Sequence, residues 1–286
     1  MKIIEKTKLW FGLSLAIMAI GLVIILTTGL NFGIDFTGGT LMEIKLHKAV
    51  LTEDIRTVTN EYDKDMSINF IGEKKEIVQI KTKKDFNSKK RQEVFNKFKE
   101  KYNLEETQPE KAEQFGATVG NEIRNNAIIS TLIAAVGMLI YVSVRFEFSY
   151  GIASIIALVH DVLILICAYA AFRVPVNGPF VAAVLTVVGY SINDTIVVFD
   201  RIRENMKLAK KGEYANIANQ SISQTISRSI NTSLTTLIAI ISLYVIGVES
   251  IKDFTLPLIV GMAAGTYSSI FIASPAWVLI KEKTKF

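Results

Sequence analysis

Only one cysteine, Cys167, and two histidines, His47 and His160, occur in 286 residues. A single thiol excludes a disulfide framework and any multi-cysteine metal site, and two histidines give no basis for a His-based metal centre. Charge is sparse as well: 21% of residues are charged, against about 25% in a soluble domain. Apolar residues take up the difference. Half of the chain is hydrophobic and the mean hydropathy is +0.35. That content excludes a disordered chain, and the long apolar runs exclude an all-soluble one. The formal net charge of +5 acquires meaning only once the charges are placed relative to a membrane.

Six stretches are long and apolar enough to cross a bilayer as helices: 9–30, 127–144, 150–172, 178–199, 230–248 and 256–280. The predicted organisation is a terminus and first span in 1–30, a polar domain in 31–126, and five closely spaced spans in 127–286 with a loop at 200–229. An even number of spans puts both termini on one side. Thirteen Lys and Arg flank the spans on that side, against only Arg173 and Lys252 in the short loops opposite. Lys and Arg in short flanks mark the cytoplasm, so both termini are expected there and the 31–126 domain outside. The first span starts like a signal peptide, but its 22 residues are long for an h-region, so an uncleaved anchor is expected. Trp10 and Trp277, near span ends, read as interfacial aromatics.

The domain alternates patterns of period two and 3.6. Met42, Ile44 and Leu46 share one face of a strand. Thr52 reads as a helix cap, with Ile55, Val58 and Tyr62 on one face of the helix after it. Met66, Ile68 and Phe70 alternate again, Gly72–Lys74 makes a turn, and 76–81 forms a second strand of a hairpin. Val94, Phe95, Phe98 and Tyr102 line one side of a Lys-rich helix, and 110–118 return as a last strand. The order β-α-β-β-α-β is ferredoxin-like. The Lys-rich helix lacks interleaved exposed aromatics, so it reads as a solvated face and not as a nucleic-acid patch. With no P-loop, nucleophile elbow or carboxylate pair, the domain reads as a binding or lever module and the chain as a non-enzyme.

Ionisable residues within a span cost about 2.5–3.5 kcal/mol on insertion scales and are functional candidates by default. The polar positions that stand out are His160 and Asp161 on the third span, with Asn193 and Asp194 on the fourth. Tyr190, Asn193 and Asp194 share a face by spacing. Arg228, Asn231, Thr232 and Thr235 repeat at i, i+3, i+4, i+7 on the fifth. Lipid satisfies no such stripe, so it is expected to face the bundle interior, with Arg228 level with Asp194 and able to pair with it. Burial favours a neutral carboxyl and a neighbouring guanidinium favours a charged one. Movement of Arg228 would then switch a proton on and off Asp194. The bland alternative is a structural ion pair. Gly261, Gly265, Ser269 and Ala273 form a small-residue stripe for close helix packing. Segment 201–227, basic with Ile217, Ile222 and Ile226, reads as amphipathic helix anchored on the membrane surface. Cys167 reads as a small core or lipid-facing residue.

Several of these stretches resemble the SecD/SecF family of the bacterial protein-export machinery, within the RND superfamily. They are Gly33-Ile-Asp-Phe-Thr-Gly-Gly-Thr40 after the first span, His160-Asp161, Gly189–Glu204 with Asn193-Asp194, and Arg228–Ser233. The fourth-span stretch is similar to the SecF side of the family in particular. Gly116–Ile123 fits too, with Ala117 where the family often has Pro. The resemblance implies a six-span half of a pump with one extracytoplasmic domain, located in the bacterial cytoplasmic membrane. It implies partnership with SecD, a SecY-type translocon, preprotein and membrane lipid. It implies no bound cofactor, the drive being a proton or sodium gradient. The family's ion-coupling Asp and partner Arg fall on Asp194 and Arg228; Asn193 and Asp161 follow less directly. Gly33, Asp35, Gly38 and Gly39 are expected to form a structural turn at the outer membrane surface. Competing readings are a small-molecule or lipid exporter half, an intramembrane enzyme, and an uncoupled structural accessory. Exporters of the superfamily usually carry two six-span repeats. An enzyme would need a Ser–His arrangement, and adjacent His160 and Asp161 are expected to point to different faces.

Overall fold

The computed structural model describes residues 2–72, 74–207, 212–247 and 249–283. Glu73 of the expected turn, Val248 at the end of the fifth run, Lys210 and Lys211 of the 200–229 loop, and Lys285 lie outside the described residues. A 3-10 turn at Ile4–Lys6 leads into α1 (Thr7–Thr28). One short turn, α2 (Ile34–Thr37), precedes the domain.

The domain runs β1 (Gly39–Lys45), α3 (Thr52–Thr59), β2 (Ser67–Ile71), β3 (Ile77–Thr82), α4 (Ser88–Tyr102) and β4 (Lys111–Phe115). Its sheet order is β2-β3-β1-β4, antiparallel throughout, which is the ferredoxin-like topology expected. The register explains the core. Met42 faces Ile80 and Ile44 faces Val78, all four buried against Ile55, Val94, Phe95 and Phe98. Asn87 caps α4, accepting from Lys90 N at 2.9 Å. At α3 the cap position falls on Leu51, and Thr52 makes no side-chain cap.

Five more long helices follow: α5 (Ala117–Arg145), α6 (Phe148–Ala171), α7 (Gly178–Met206), α8 (Tyr214–Ile246) and α9 (Glu249–Ser268). A π turn at Ser269–Ala273 joins α9 to α10 (Ser274–Lys283), making one continuous span. Six stretches among the described residues are thus long and apolar enough to cross a membrane, as expected. The chain is a multi-pass membrane protein. Residues 117–126, grouped with the domain by their polarity, are the first turns of α5.

The π turn has a local cause. Pro275 carries no N–H for the carbonyl four residues back, and its ring clashes there. The helix widens instead, and Ser274 Oγ donates to the Ser269 carbonyl at 3.1 Å. Such turns often sit at functional sites.

Helices α6, α7 and α9–α10 form the middle of the bundle, with α1, α5 and α8 around them burying little of their apolar surface. Small residues set the closest crossings, as the stripe predicts. A Cβ on Gly261 would stand 2.3 Å from Val187 Cγ2, and one on Gly265 3.0 Å from Ser191 Cβ. Gly21 of α1 meets Cys167 of α6 in the same way.

Two expectations are corrected. Among the described residues, segment 201–227 holds no separate surface helix: α7 continues to Met206 and α8 begins at Tyr214. Ile217 and Ile222 find protein, not lipid, as their apolar partner and sit in the bundle core. The N-terminus is pinned there too, since Asn219 Oδ1 accepts from Ile3 N and Ile4 N at 2.8 and 3.1 Å. Trp277 is fully buried between Tyr150 and Tyr214 and not interfacial.

Candidate functional site: a polar core between the spans

A polar side chain inside an apolar bundle must find partners on neighbouring helices. Asp161 of α6 finds several. It is fully buried. Its Oδ2 accepts from Ser191 Oγ of α7 at 2.5 Å and from Ser268 Oγ of α9 at 2.7 Å. Its Oδ1 lies 2.9 Å from Nδ1 of its neighbour His160. His160 Nε2 in turn meets Ser14 Oγ of α1 at 3.0 Å. Ser14 Oγ donates to Tyr267 Oη at 3.4 Å, and Tyr267 Oη donates to the Trp10 carbonyl at 2.9 Å. Four helices are tied through one carboxylate.

This corrects the expectation that His160 and Asp161 diverge, and that no Ser–His arrangement exists. The imidazole folds back along its own helix onto the adjacent carboxylate. Ser14 nevertheless lies in the middle of α1, where the backbone amides are committed to helix bonds. The Ser14–His160–Asp161 chain links α1 to α6 and, through Asp161, to α7 and α9.

Asp194 has a different environment. It lies in α7, buried, yet its Oδ2 has no hydrogen-bond partner. Ser229 Oγ and Tyr190 Oη are buried without partners too. The hydroxyls of Ser229 and Ser269 are its neighbouring dipoles, and the Arg228 charge acts on it from farther out. Ser269 Oγ also lies 2.8 Å from Thr195 Oγ1 and donates to the Gly265 carbonyl at 2.9 Å. Among the described residues no ion pair joins Asp194 to Arg228, whose side chain is exposed. The expected pair is therefore open. Consecutive residues point about 100° apart on a helix, so an α8 that turns Ser229 inward holds Arg228 at the edge.

The same rotation corrects the expected stripe. Ser229 and Ser233 face inward, and Ser233 Oγ meets Thr266 Oγ1 of α9 at 2.6 Å. Asn231, Thr232 and Thr235 face outward with Arg228. The threonines bond their own helix, Thr232 Oγ1 to the Arg228 carbonyl at 2.8 Å and Thr235 Oγ1 to the Asn231 carbonyl at 3.0 Å. Asn193 is exposed as well, and so parts company with Asp194.

The Gly33–Thr40 motif makes more than a turn. Gly38 has φ 75° and Gly39 φ 144°, and a Cβ on Gly39 would stand 2.1 Å from the Thr82 carbonyl oxygen, so only glycine fits where α2 turns into β1. Asp35 Oδ2 accepts from Gly178 N at 2.9 Å, the first amide of α7. Gly33 N donates to the Val176 carbonyl at 2.9 Å, and Val176 N to the Asn31 carbonyl at 2.8 Å.

Sequence patterning misses the serines. Ser14, Ser191, Ser268 and Ser269 sit in apolar runs and read as small packing residues, and Ser229 lies just before one. A usable signal is present: Ser268 and Ser269 come directly after the glycine stripe, where close packing brings hydroxyls onto facing helices.

These features define a polytopic membrane protein with six spans, one ferredoxin-like domain between the first two, and a polar core threaded by two buried carboxylates. Comparison with known proteins narrows the class. The family profile for protein export membrane protein SecD/SecF, C-terminal, matches residues 94–283, and that of the SecD/SecF GG motif matches residues 23–50. A protein translocase subunit SecF of Calditerrivibrio nitroreducens is 40% identical over 98% of this chain and 94% of its own length. The protein translocase subunit SecDF of Bacillus subtilis is 37% identical over 98% of this chain, which spans 38% of that longer protein. The crystal structure of SecDF from Thermus thermophilus, described as a translocon-associated membrane protein, superposes with a TM-score of 0.85 at 35% identity, covering 99% of this chain and 39% of that one. The chain belongs to the SecD/SecF family.

Proposed function

We propose that the chain is an auxiliary subunit of the Sec translocase that pairs with SecD and uses the transmembrane ion gradient to promote preprotein translocation across the cytoplasmic membrane. Both termini are cytoplasmic and the domain is outside, on the charge asymmetry of the flanks. Partnership with SecD is supported by relatives that carry a SecDF name on one longer chain, and by the outward polar face of α8. A SecY-type translocon and the preprotein are the remaining partners, on the strength of relatives named translocase subunits.

The observation that carries the coupling is the orphaned Oδ2 of Asp194. A buried carboxylate oxygen with no donor is costly, and a proton or cation relieves it most directly. Asp161 is already saturated with partners, so the two carboxylates divide the work: Asp161 clamps, Asp194 exchanges. Arg228 at the edge is the competing positive charge. Its approach favours an ionised Asp194 and its withdrawal a protonated one. A charge falling through ~150 mV releases about 3.5 kcal/mol, a few hundredfold in a two-state equilibrium. That suffices to bias α7 and α8 between two arrangements.

The test is pulse-chase export of a secreted protein in cells depleted of the chain and rescued with wild type or Asp194→Asn at matched membrane levels. Asn keeps the size but exchanges no proton. The expected result is failure of Asn to restore export. Full rescue would refute ion coupling at Asp194.

A further inference from the structure

We propose that Asp35 is the positioning residue that fastens the domain to α7, so that movements of α7 at Asp194 reach the domain through a clasp centred on this carboxylate. The inference rests on the ion-coupled reading above and supplies what it lacks, a path from the membrane interior to the domain.

The path is short and made of direct bonds. Asn177, the cap position of α7, makes no side-chain cap of its own. Asp35 fills that role from 143 positions away in the chain, its Oδ2 at 2.9 Å from Gly178 N. A carboxylate there also faces the positive end of the helix dipole. Around it the 29–33 segment lies strapped to the α6–α7 loop. Phe32 and Val176 form a parallel bridge, Asn31 Nδ2 donates to the Arg173 carbonyl at 3.1 Å, and Arg173 Nη1 donates back to the Thr28 and Gly29 carbonyls at 2.9 and 3.0 Å.

The chain leaving the domain seats on the same point. A Cβ on Gly120 of α5 would stand 2.8 Å from the Phe36 carbonyl oxygen, so α5 begins pressed onto α2. Both connections of the domain therefore meet at α2, and α2 is held to α7 by Asp35. On the other side of α2, β1 begins at once through Gly38 and Gly39 and is paired to both β3 and β4. A displacement of α2 is thus a displacement of the sheet.

The distance is suited to a lever. Gly178 and Asp194 are sixteen residues apart in one uninterrupted helix, about 24 Å at 1.5 Å per residue. A cleft of about 90 Å³ lies beside Asp35, lined among others by Asp65, Lys81, Lys83, Asn177 and Asp253. It leaves the domain room to tilt about the clasp.

The experiment measures domain orientation in the full chain, co-expressed with its SecD partner and reconstituted in nanodiscs. Spin labels go on Lys89→Cys of α4 and Val245→Cys of α8 in a Cys167→Ala background. The label distance is compared between Asp194 and Asp194→Asn, first with Asp35 intact and then in Asp35→Ala. A second variant, Gly178→Pro, removes the donor and keeps the carboxylate; proline is well accepted at the first position of a helix. The expected result is a shift in the distance distribution on Asp194→Asn with the clasp intact, and loss of that shift in both clasp variants. A shift that persists in Asp35→Ala and in Gly178→Pro overturns the clasp and leaves ion coupling standing. No shift with the clasp intact overturns the clasp together with the coupled reading.

Discussion

Asp161 and Asp194 lie in one polar core, yet replacing them should do opposite things. Asp161→Ala removes the acceptor of Ser191 and Ser268 and the partner of His160. Interhelical hydrogen bonds in membranes average about 0.6 kcal/mol and reach about 1.7, so the two to Ser191 and Ser268 make a loss of about 1–3 kcal/mol, with the His160 contact inside α6 lost besides. His160 then keeps only Ser14. Asp194→Asn replaces an oxygen that has no partner and keeps one that can still accept from the neighbouring Ser229 and Ser269 hydroxyls, while a buried charge is removed. Its stability should equal or exceed that of wild type. Reversible SDS-titration unfolding of the two purified variants in mixed micelles measures both quantities directly. Pulse-chase export on the same pair gives the contrast. Asp194→Asn should be stable and inactive, and Asp161→Ala should lose activity only in proportion to folded protein. The division of labour is refuted if Asp194→Asn loses as much stability as Asp161→Ala, or if Asp161→Ala loses less than about 0.5 kcal/mol, below even one average bond.

Three more outcomes rest on packing and charge. Gly261→Val puts a branched Cβ where only 2.3 Å is free to Val187, so it should force α7 and α9 apart and lower the unfolding midpoint, while Gly12→Ala, with nothing within 4 Å, should leave it unchanged. Gly39→Ala should destabilise the domain by more than about 1 kcal/mol for its positive φ alone, and Gly116→Ala, in open space, should not; limited proteolysis of the domain reads the difference. Burial, with Glu93 adding to it, pushes the Tyr62 phenol up to about 12. The folded state then holds that proton more tightly than the unfolded one, so stability is full below about pH 10 and declines from there to about pH 12. Tyr62→Phe should remove that component of the alkaline decline, measured as the pH dependence of the domain's unfolding.

Much of the architecture is legible because it comes from periods. Six apolar runs give six spanning helices, and alternation at Met42–Leu46 and Met66–Phe70 gives strands in a ferredoxin-like order. The glycine stripe marks the sixth span as one that packs closely, and the structure supplies its partner, α7. What stays hidden depends on rotation about a helix axis. The stripe from Arg228 to Thr235 and the ridge of Ser229 and Ser233 are both periodic. Hydropathy favours the first as the inward face, since it is the more polar. The fold turns the second inward, because small hydroxyls allow close approach and the long Arg228 does not. Nor does sequence show that Asp35 reaches Gly178, a bond between segments far apart in the chain. The π turn escapes for a different reason: Pro275 is visible, but periodicity does not carry its effect back to Ser269.

The outward polar face of α8 bears on how the cell must make this protein. On it Asn231 is exposed and its side chain has no hydrogen-bond partner within the described residues, with Arg228 three residues before it on the same face; Asn193 of α7 is exposed as well. A helix with such a face is ill at ease among acyl chains. A copy inserted without a covering partner therefore leaves that face against lipid. Matching synthesis of two separate chains is one answer to that problem. Putting both on a single polypeptide, as in the longer SecDF relatives, is another, because it fixes the ratio at one to one before either half meets lipid.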